Sequence, residues 1–148
     1  MAERILTEPL NLDVLLAATQ SPDAGALSVF AGTVRRHNDG REVAALEYSV
    51  YEPLAERRLA EIEREAEQRF GVTCCRIQHR VGQLEIGDTS VLVVVRSPHR
   101  SEAFAAARYA IDTVKHTVPI WKRESYADGT QSYVKGCALH EEEATENA

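Results

Sequence analysis

The sequence predicts an α+β fold in a single domain, on three observations. The chain has 148 residues, an ordinary length for one domain with a core of its own. Apolar residues make up 44% and charged residues 27%, which is typical of globular proteins. Helix and strand patterns follow in the order α-β-β-α-β-β-α-β-β, without the strict alternation of a parallel α/β sheet.

The first three elements are bounded by turn signals. Asn11 suits the N-cap of a short helix over 12–19. A strand follows over 26–34, and a polar loop at 37–40 ends in a turn signal. In the next strand, 46–50, apolar and polar residues alternate, which indicates that one face is buried.

The second helix has the most regular pattern in the chain. Pro53 suits its first turn, apolar residues recur at helical spacing up to Phe70, and Gly71 suits the position after its end. Glu and Arg side chains, Glu63 among them, fill the other face, which we expect to be solvated.

Two strands and a third helix follow. Strands are predicted over 72–81 and 91–95, with a glycine-containing connection over 82–88. The run 91–95 is continuously apolar and β-branched, so we expect a central strand covered on both faces. Ser101 can cap a helix over 102–116.

The C-terminal part completes the domain. Proline disfavours a helical residue before it, so the helix is expected to end at Val118-Pro119. Strands over 120–126 and 132–134 follow. We expect the folded domain to span 1–136 and the acidic tail, 137–148, to be disordered.

Composition excludes several classes of protein. The net charge of −6 disfavours a general nucleic-acid binder, which normally carries a basic face. No apolar run approaches the ~20 residues of a membrane span. The first residues lack the pattern of a signal peptide, so a cytoplasmic location is expected.

The three cysteines indicate neither a disulfide framework nor a zinc site, because their number is odd and no C-x-x-C spacing occurs. The histidines are scattered, and the carboxylates are assigned to solvated faces. We therefore expect no metal and no bound cofactor.

Basic residues gather around the third helix of this acidic chain. His99 and Arg100 stand at its start, where free N–H groups, the helix dipole and a bidentate guanidinium favour an anion. Lys115 stands at its other end, roughly 20 Å away at ~1.5 Å per residue. One subunit would not easily place both ends in one site, so either a long substrate spans them or a second subunit brings the opposite end close. The second alternative makes a homodimer with a shared site attractive.

Two lysines flank the proline break after that helix. The chain reversal can bring Lys115 and Lys122 together, and neighbouring ammonium groups make proton loss from one of them easier. Such a lysine can act as a general acid, base or nucleophile. Lys122 and Arg123 point to opposite faces of a strand, and periodicity does not decide which one faces the site.

A second basic element follows the first predicted strand. Gly32 within that strand permits close approach of a ligand or another backbone. Arg35 and Arg36 then lead into a loop, a common place for side chains that hold substrate.

Five segments together resemble the large, catalytic subunit of molybdopterin synthase. They occur in order from about residue 5 to residue 135. The segments are Phe30–Arg35, Leu46–Tyr48, His79–Gly82, Pro98–Phe104 and Lys115–Lys122.

The resemblance implies an α/β hammerhead-type fold with a mixed sheet, a homodimer, and a heterotetramer with two small ubiquitin-like subunits. Each small subunit ends in a Gly-Gly thiocarboxylate and threads its tail into the large subunit. The implied activity is sulfur transfer that converts cyclic pyranopterin monophosphate to molybdopterin, in molybdenum cofactor biosynthesis.

The resemblance also implies roles for individual residues. Lys115 and Lys122 match the essential lysines of the family. Arg35, His99 and Arg100 match its pocket for the substrate phosphate and pterin, with His99 and Arg100 supplied across the dimer. Phe30 is expected to line the tail channel.

Two alternatives stay open on sequence alone. A non-catalytic anion-binding or regulatory module would explain the basic cluster, but not two lysines around a proline break. A phosphate-ester hydrolase or acyl transferase lacks support, because no metal set, G-x-S-x-G motif or Cys-His pair is evident.

Overall fold

Two β-sheets and two long helices share one hydrophobic core in the computed structural model, which describes residues 3–134, and a short helix packs on the other face of one sheet. The helices are α1 (Leu12–Ala18), α2 (Glu52–Phe70) and α3 (Arg100–Thr117). The strands are β1 (Ile5–Leu6), β2 (Ala26–Thr33), β3 (His37–Asn38), β4 (Arg41–Val50), β5 (Cys74–Arg80), β6 (Gly82–Glu85), β7 (Thr89–Ser97), β8 (Ile120–Tyr126) and β9 (Gln131–Val134). The predicted α+β class is confirmed, while the predicted tail, 137–148, lies outside the described residues.

The first sheet has the strand order β1-β5-β7-β2. Strand β7 is antiparallel to both of its neighbours, and β1 pairs in parallel with β5. Val93 belongs to the main core beneath α2 and α3, whereas Leu92 and Val94 pack with Leu15 of α1 on the opposite face. The prediction of a central strand covered on both faces is confirmed.

The second sheet is centred on β4, which pairs with β3 and β6 and, on its other side, with β8. Strand β9 extends the sheet beyond β8. The inner face of the second sheet contributes Leu46, Tyr48 and Leu84 to the same core that contains Val93 of the first sheet. The two sheets therefore belong to a single domain.

The long helices bury faces of different character. Leu59 and Ile62 of α2 are fully buried, and Gly71 ends that helix in the left-handed region with φ +66°. Helix α3 buries mainly alanines, whose small side chains let the helix lie close to the first sheet. No helix within residues 3–134 combines the length and apolar character needed to cross a membrane.

Three short strands were not predicted. The sequence pattern indicates no element at β1, a loop at β3 and a connection at β6, whereas the structure has a strand at each. The β3–β4 hairpin turns at Asp39 and Gly40, which both have positive φ, as two-residue hairpin turns of type I′ require. Strands of two to four residues are too short to show a period of two, so pattern analysis misses them.

Two local predictions are wrong. Helix α3 begins at Arg100, with His99 rather than Ser101 in the N-cap position. Glu63 does not face solvent: it is buried, 2.9 Å from Arg4, and accepts a hydrogen bond from the Ile77 N–H. Arg4 lies far away in sequence, so helical periodicity could not reveal this partner.

Candidate active site

A cavity of about 340 Å³ lies between the two sheets, beside the C-terminal end of α3. Four of the six predicted site residues line it: Phe30, Arg35, Lys115 and Lys122. Further polar side chains of the lining come from six strands. They are Thr33, Asn38, Tyr48, His79, Ser90 and Glu124.

Lys115 reaches the cavity from the last turn of α3. Ile111 lies one turn before Lys115, and Val114 lies one residue before it. Both side chains are buried and line the same cavity. Ile111 and Lys115 are four residues apart and share a helix face, so the apolar packing of α3 also directs Lys115 into the cavity. Lys115 is half-buried, with its stem beside these apolar side chains.

Lys122, not Arg123, faces the cavity, which decides the question that periodicity left open. Lys122 shares a face of β8 with Ile120 and Glu124, which also line the cavity. Arg123 lies on the outer face and forms an ion pair of 3.0 Å with Glu47. The Lys122 side chain is 16% exposed and therefore largely desolvated.

Glu124 is a site residue that the sequence analysis missed. Its side chain is 1% exposed, and its Oε1 atom lies 3.8 Å from Lys122 Nζ. The same oxygen accepts a 2.6 Å hydrogen bond from Asn38 Nδ2. The expectation that the carboxylates face solvent is wrong here. The available signal was the position of Glu124, two residues after Lys122 and therefore on the same face of the strand.

Arg35 and Phe30 belong to the exposed part of the cavity lining. Gly32 lies between them, and an added Cβ there would stand 2.7 Å from Val91 Cγ1. Glycine is therefore needed where β2 approaches β7, and the absence of a side chain keeps this wall of the cavity open.

His79 and Tyr48 form a buried aromatic pair in the wall. Their ring centroids are 5.1 Å apart in an edge-to-face arrangement. Burial lowers the pKa of His79 to about 4, opposed only in part by the hydrogen bond between its Nδ1 and the Arg80 backbone oxygen. The imidazole is consequently neutral at pH 7.

His99 and Arg100 do not line the cavity of their own subunit. Both are exposed at the first turn of α3, while Lys115 lies in its last turn. The helix has 18 residues, so its ends are roughly 25 Å apart at ~1.5 Å per residue. This geometry agrees with the sequence-based argument that one subunit cannot bring both ends to one site.

The charges of the cavity favour anions. Arg35, Lys115 and Lys122 stand against the single carboxylate of Glu124, which leaves an excess of two positive charges. The cysteines of the described part of the chain are not in the lining, and burial raises the pKa of both Cys74 and Cys75. The arrangement suits anion binding and lysine-assisted proton transfer rather than cysteine chemistry.

Comparisons with known proteins agree with the resemblance. The sequence matches the MoaE protein family over residues 5–117. The molybdopterin synthase catalytic subunit of Nostoc sp. is 46% identical over 127 residues, which cover 85% of this chain and 77% of that protein.

Solved structures share the fold. The crystal structure of molybdopterin synthase from Staphylococcus aureus superposes with a TM-score of 0.84 at 39% identity, over 89% of this chain and 96% of that chain. A Helicobacter pylori structure, a protein–protein complex of subunits 1 and 2 of molybdopterin-converting factor, gives a TM-score of 0.72 at 28% identity and covers 89% of each chain.

Proposed function

The chain belongs to the MoaE protein family, and from this premise we propose that it is the catalytic subunit of a molybdopterin synthase. It converts cyclic pyranopterin monophosphate to molybdopterin by inserting two sulfur atoms as a dithiolene. The sulfur donor is the C-terminal thiocarboxylate of a small ubiquitin-like subunit that ends in Gly-Gly. The observation that carries the proposal is the convergence of Lys115, Lys122 and Arg35 on one cavity.

The charge of the cavity supports this chemistry. The precursor carries a phosphate and the donor ends in an anion, so the reaction brings two negative groups together in a partly desolvated space. Fixed positive charges lower the cost of that approach and stabilise negative charge that develops in the transition state. The excess of cations over the Glu124 carboxylate meets this requirement.

The two lysines have different surroundings, which supports different roles. Lys115 stands on the rigid end of a helix, and we assign to it proton transfer and stabilisation of the acyl or thio intermediates. Lys122 stands beside Glu124, which fixes its ammonium group in place. We assign to Lys122 the orientation of the thiocarboxylate.

The partner and the second copy complete the site in this proposal. The Helicobacter pylori complex of two subunits supports a small-subunit partner, and exposed Phe30 suits the entrance of a tail channel. A homodimer that binds two small subunits would bring His99 and Arg100 of one copy to the phosphate in the cavity of the other. A cytoplasmic location remains a prediction.

The test is a reconstitution with purified components. This protein, a thiocarboxylated small subunit and the cyclic precursor are mixed, and the dithiolene-bearing pterin is assayed. Lys115→Ala is expected to abolish product formation while binding of the small subunit is largely retained, because the role assigned to Lys115 is in the chemical step. Arg108→Ala is the matched control, since Arg108 is exposed on the same helix.

The outcomes separate function from residue role. Product from the wild-type protein that depends on the small subunit supports the synthase function, and its loss in Lys115→Ala supports the role of the lysine. Near-normal turnover by Lys115→Ala would overturn that role. A firm complex without any product from the wild-type protein would indicate a binding or regulatory function instead.

A further inference from the structure

A buried histidine in the cavity wall has no role in the reaction as assigned above. His79 is 4% exposed and lines the cavity. Its Nδ1 atom lies 2.8 Å from the backbone oxygen of Arg80. A carbonyl oxygen only accepts hydrogen bonds, so Nδ1 carries the proton, and the neutral ring leaves the lone pair of Nε2 as an acceptor.

This acceptor is both uncharged and open. Burial keeps the ring neutral, as its lowered pKa of about 4 indicates. Within residues 3–134, His79 Nε2 makes no hydrogen bond. The atom is also not completely enclosed by the protein, so a ligand group can reach it. A ring that holds a proton so weakly is a poor base at neutral pH, so its remaining chemistry is hydrogen-bond acceptance.

His79 lies in the buried part of the cavity lining, on the first sheet. Across the first sheet it stands opposite Val91, which in turn stands opposite Gly32, and all three line the cavity. The ring of Tyr48 packs on His79, and Tyr48 stands opposite Lys122 in the second sheet. One aromatic side chain therefore separates the imidazole from the stem of Lys122.

A Gly-Gly tail offers only backbone groups and its terminal anion to such a cavity. When the anion lies at the lysines, the nitrogen of the last amide lies about 2.5 Å from the terminal carbonyl carbon. A buried N–H without an acceptor is costly. The ammonium and guanidinium groups of the cavity are donors and cannot serve it. Among the acceptors of the lining, Glu124 already accepts from Asn38 beside Lys122, and the Ser90 hydroxyl already donates to Gly32. His79 Nε2 differs from both because it is buried, uncharged and able only to accept.

We propose that His79 Nε2 accepts a hydrogen bond from the last backbone N–H of the small subunit's Gly-Gly tail. This inference rests on the proposed function, because it takes the thiocarboxylate tail as the occupant of the cavity. The bond fixes how far the tail enters and so places the reactive sulfur between Lys115 and Lys122. It also selects for a tail whose last residue has an unsubstituted amide nitrogen.

The test is a double-mutant cycle across this bond, read as binding and not as turnover. On this chain, His79→Phe keeps a planar ring but removes the acceptor, and His79→Gln restores an acceptor. On the small subunit, semisynthesis replaces the last glycine by N-methylglycine, which removes the donor. Dissociation constants are measured by calorimetry for all pairs, and a small subunit lacking both glycines controls for the surface outside the tail.

Each single change is expected to weaken binding about tenfold, and both together little more than either alone, because they remove the same bond. His79→Gln is expected to recover binding of the glycine tail to within about threefold. Binding of the small subunit without its last two glycines is expected to be equal for wild type and His79→Phe. Unchanged binding by His79→Phe, or fully additive losses, would overturn the proposal.

A second measurement uses the unmodified protein, in case His79→Phe fails to fold. With nitrogen-15-labelled histidine, the Nε2 resonance is expected to shift when the glycine tail binds and to stay in place when the N-methylglycine tail binds. Equal shifts with both tails would also overturn the proposal. Product formation by the wild-type protein is scored separately, so failure of the synthase function is distinguishable from failure of the His79 bond.

Discussion

Lys122 and Arg123 are adjacent in sequence and have opposite surroundings, because a strand turns successive side chains to opposite faces. Lys122 enters a desolvated space where Glu124 is its counter-ion, while Arg123 pairs with Glu47 on the outer face. A charge in the desolvated space interacts strongly with its neighbours, and a charge on the outer face is screened by water. The two ion pairs should therefore respond very differently to neutralisation.

Neutralising Glu124 should impair turnover. Glu124→Gln retains an oxygen for Asn38 but removes the charge that fixes the ammonium of Lys122. We expect turnover to fall at least about tenfold through misplacement of that group. Glu47→Gln, which neutralises the partner of Arg123, should leave turnover within about twofold. Equal effects of the two variants would contradict this role of Glu124.

His79 gives stability a defined pH dependence. Its pKa is about 4 in the folded protein, because of burial, and near 6.5 in the unfolded chain. Between pH 6.5 and pH 4 only the unfolded chain binds a proton at His79. The contribution of His79 to the free energy of unfolding is therefore complete above pH 6.5 and declines as the pH falls towards 4. The full loss is on the order of 3 kcal/mol.

Urea unfolding of wild type and His79→Gln at pH 7.5 and pH 4.5 measures this contribution. We expect the wild-type protein to lose more unfolding free energy than the variant between the two pH values, since glutamine does not titrate. Other titrating groups act in both proteins and cancel in the comparison. Equal losses would show that His79 is not held neutral by the fold.

At the scale of elements, length decides what the sequence can predict. Helix α2 and strand β7 repeat their apolar pattern over enough residues to be recognised, and both are observed where expected. Strands β1, β3 and β6 are too short to carry a period and form because a neighbouring strand offers hydrogen bonds. Yet β3 ends in Asn38, whose side chain donates a hydrogen bond to Glu124. The sequence pattern predicted neither this strand nor the site residue Glu124 that it helps to position.

Strand β1 is joined to α2 by a buried ion pair that can be tested. Arg4 contacts both Glu56 and Glu63, and Glu63 is buried. Arg4→Ala would leave Glu63 without its main counter-charge, at a cost of about 3 kcal/mol in unfolding free energy. Arg76→Ala, which removes a cation that is 45% exposed, should cost less than about 1 kcal/mol.

The pH dependence of the Arg4→Ala effect follows from the same contact. Burial raises the pKa of Glu63, and Arg4 opposes that rise. Without Arg4 the folded protein holds the proton of Glu63 more tightly, so stability declines further as the pH rises above the ordinary range of a glutamate. The loss should therefore be larger at pH 8 than at pH 5, as measured by urea unfolding. The reverse order would contradict the burial argument.

At the scale of the whole molecule, the site exists because the two sheets meet beside the end of α3. Motifs identified the cations Arg35, Lys115 and Lys122 in advance, since unusual basic residues stand out in an acidic chain. They did not identify Glu124 or His79 as site residues. The spacing of Glu124 from Lys122 was a usable signal once Lys122 was assigned to the cavity, whereas a histidine in a strand carries none until its neighbours across the sheets are known. The sequence thus predicted the cations of the cavity and Phe30, but neither the carboxylate of Glu124 nor the imidazole of His79 beside them.

The length of α3 yields a prediction about the dimer as a whole. If His99 and Arg100 serve the cavity of the other copy, each site takes Lys115 from one subunit and Arg100 from its partner copy. Lys115→Ala and Arg100→Ala homodimers should each be inactive, but mixed dimers would contain one intact site. Random mixing should restore about a quarter of wild-type turnover, because half of the dimers are mixed and each has one working site of two.

The measurement is the turnover of re-paired dimers, with the unmixed variants as controls. If both unmixed variants are inactive, no recovery despite confirmed mixed dimers would mean that Arg100 acts within its own subunit, since a site confined to one chain cannot be completed by another.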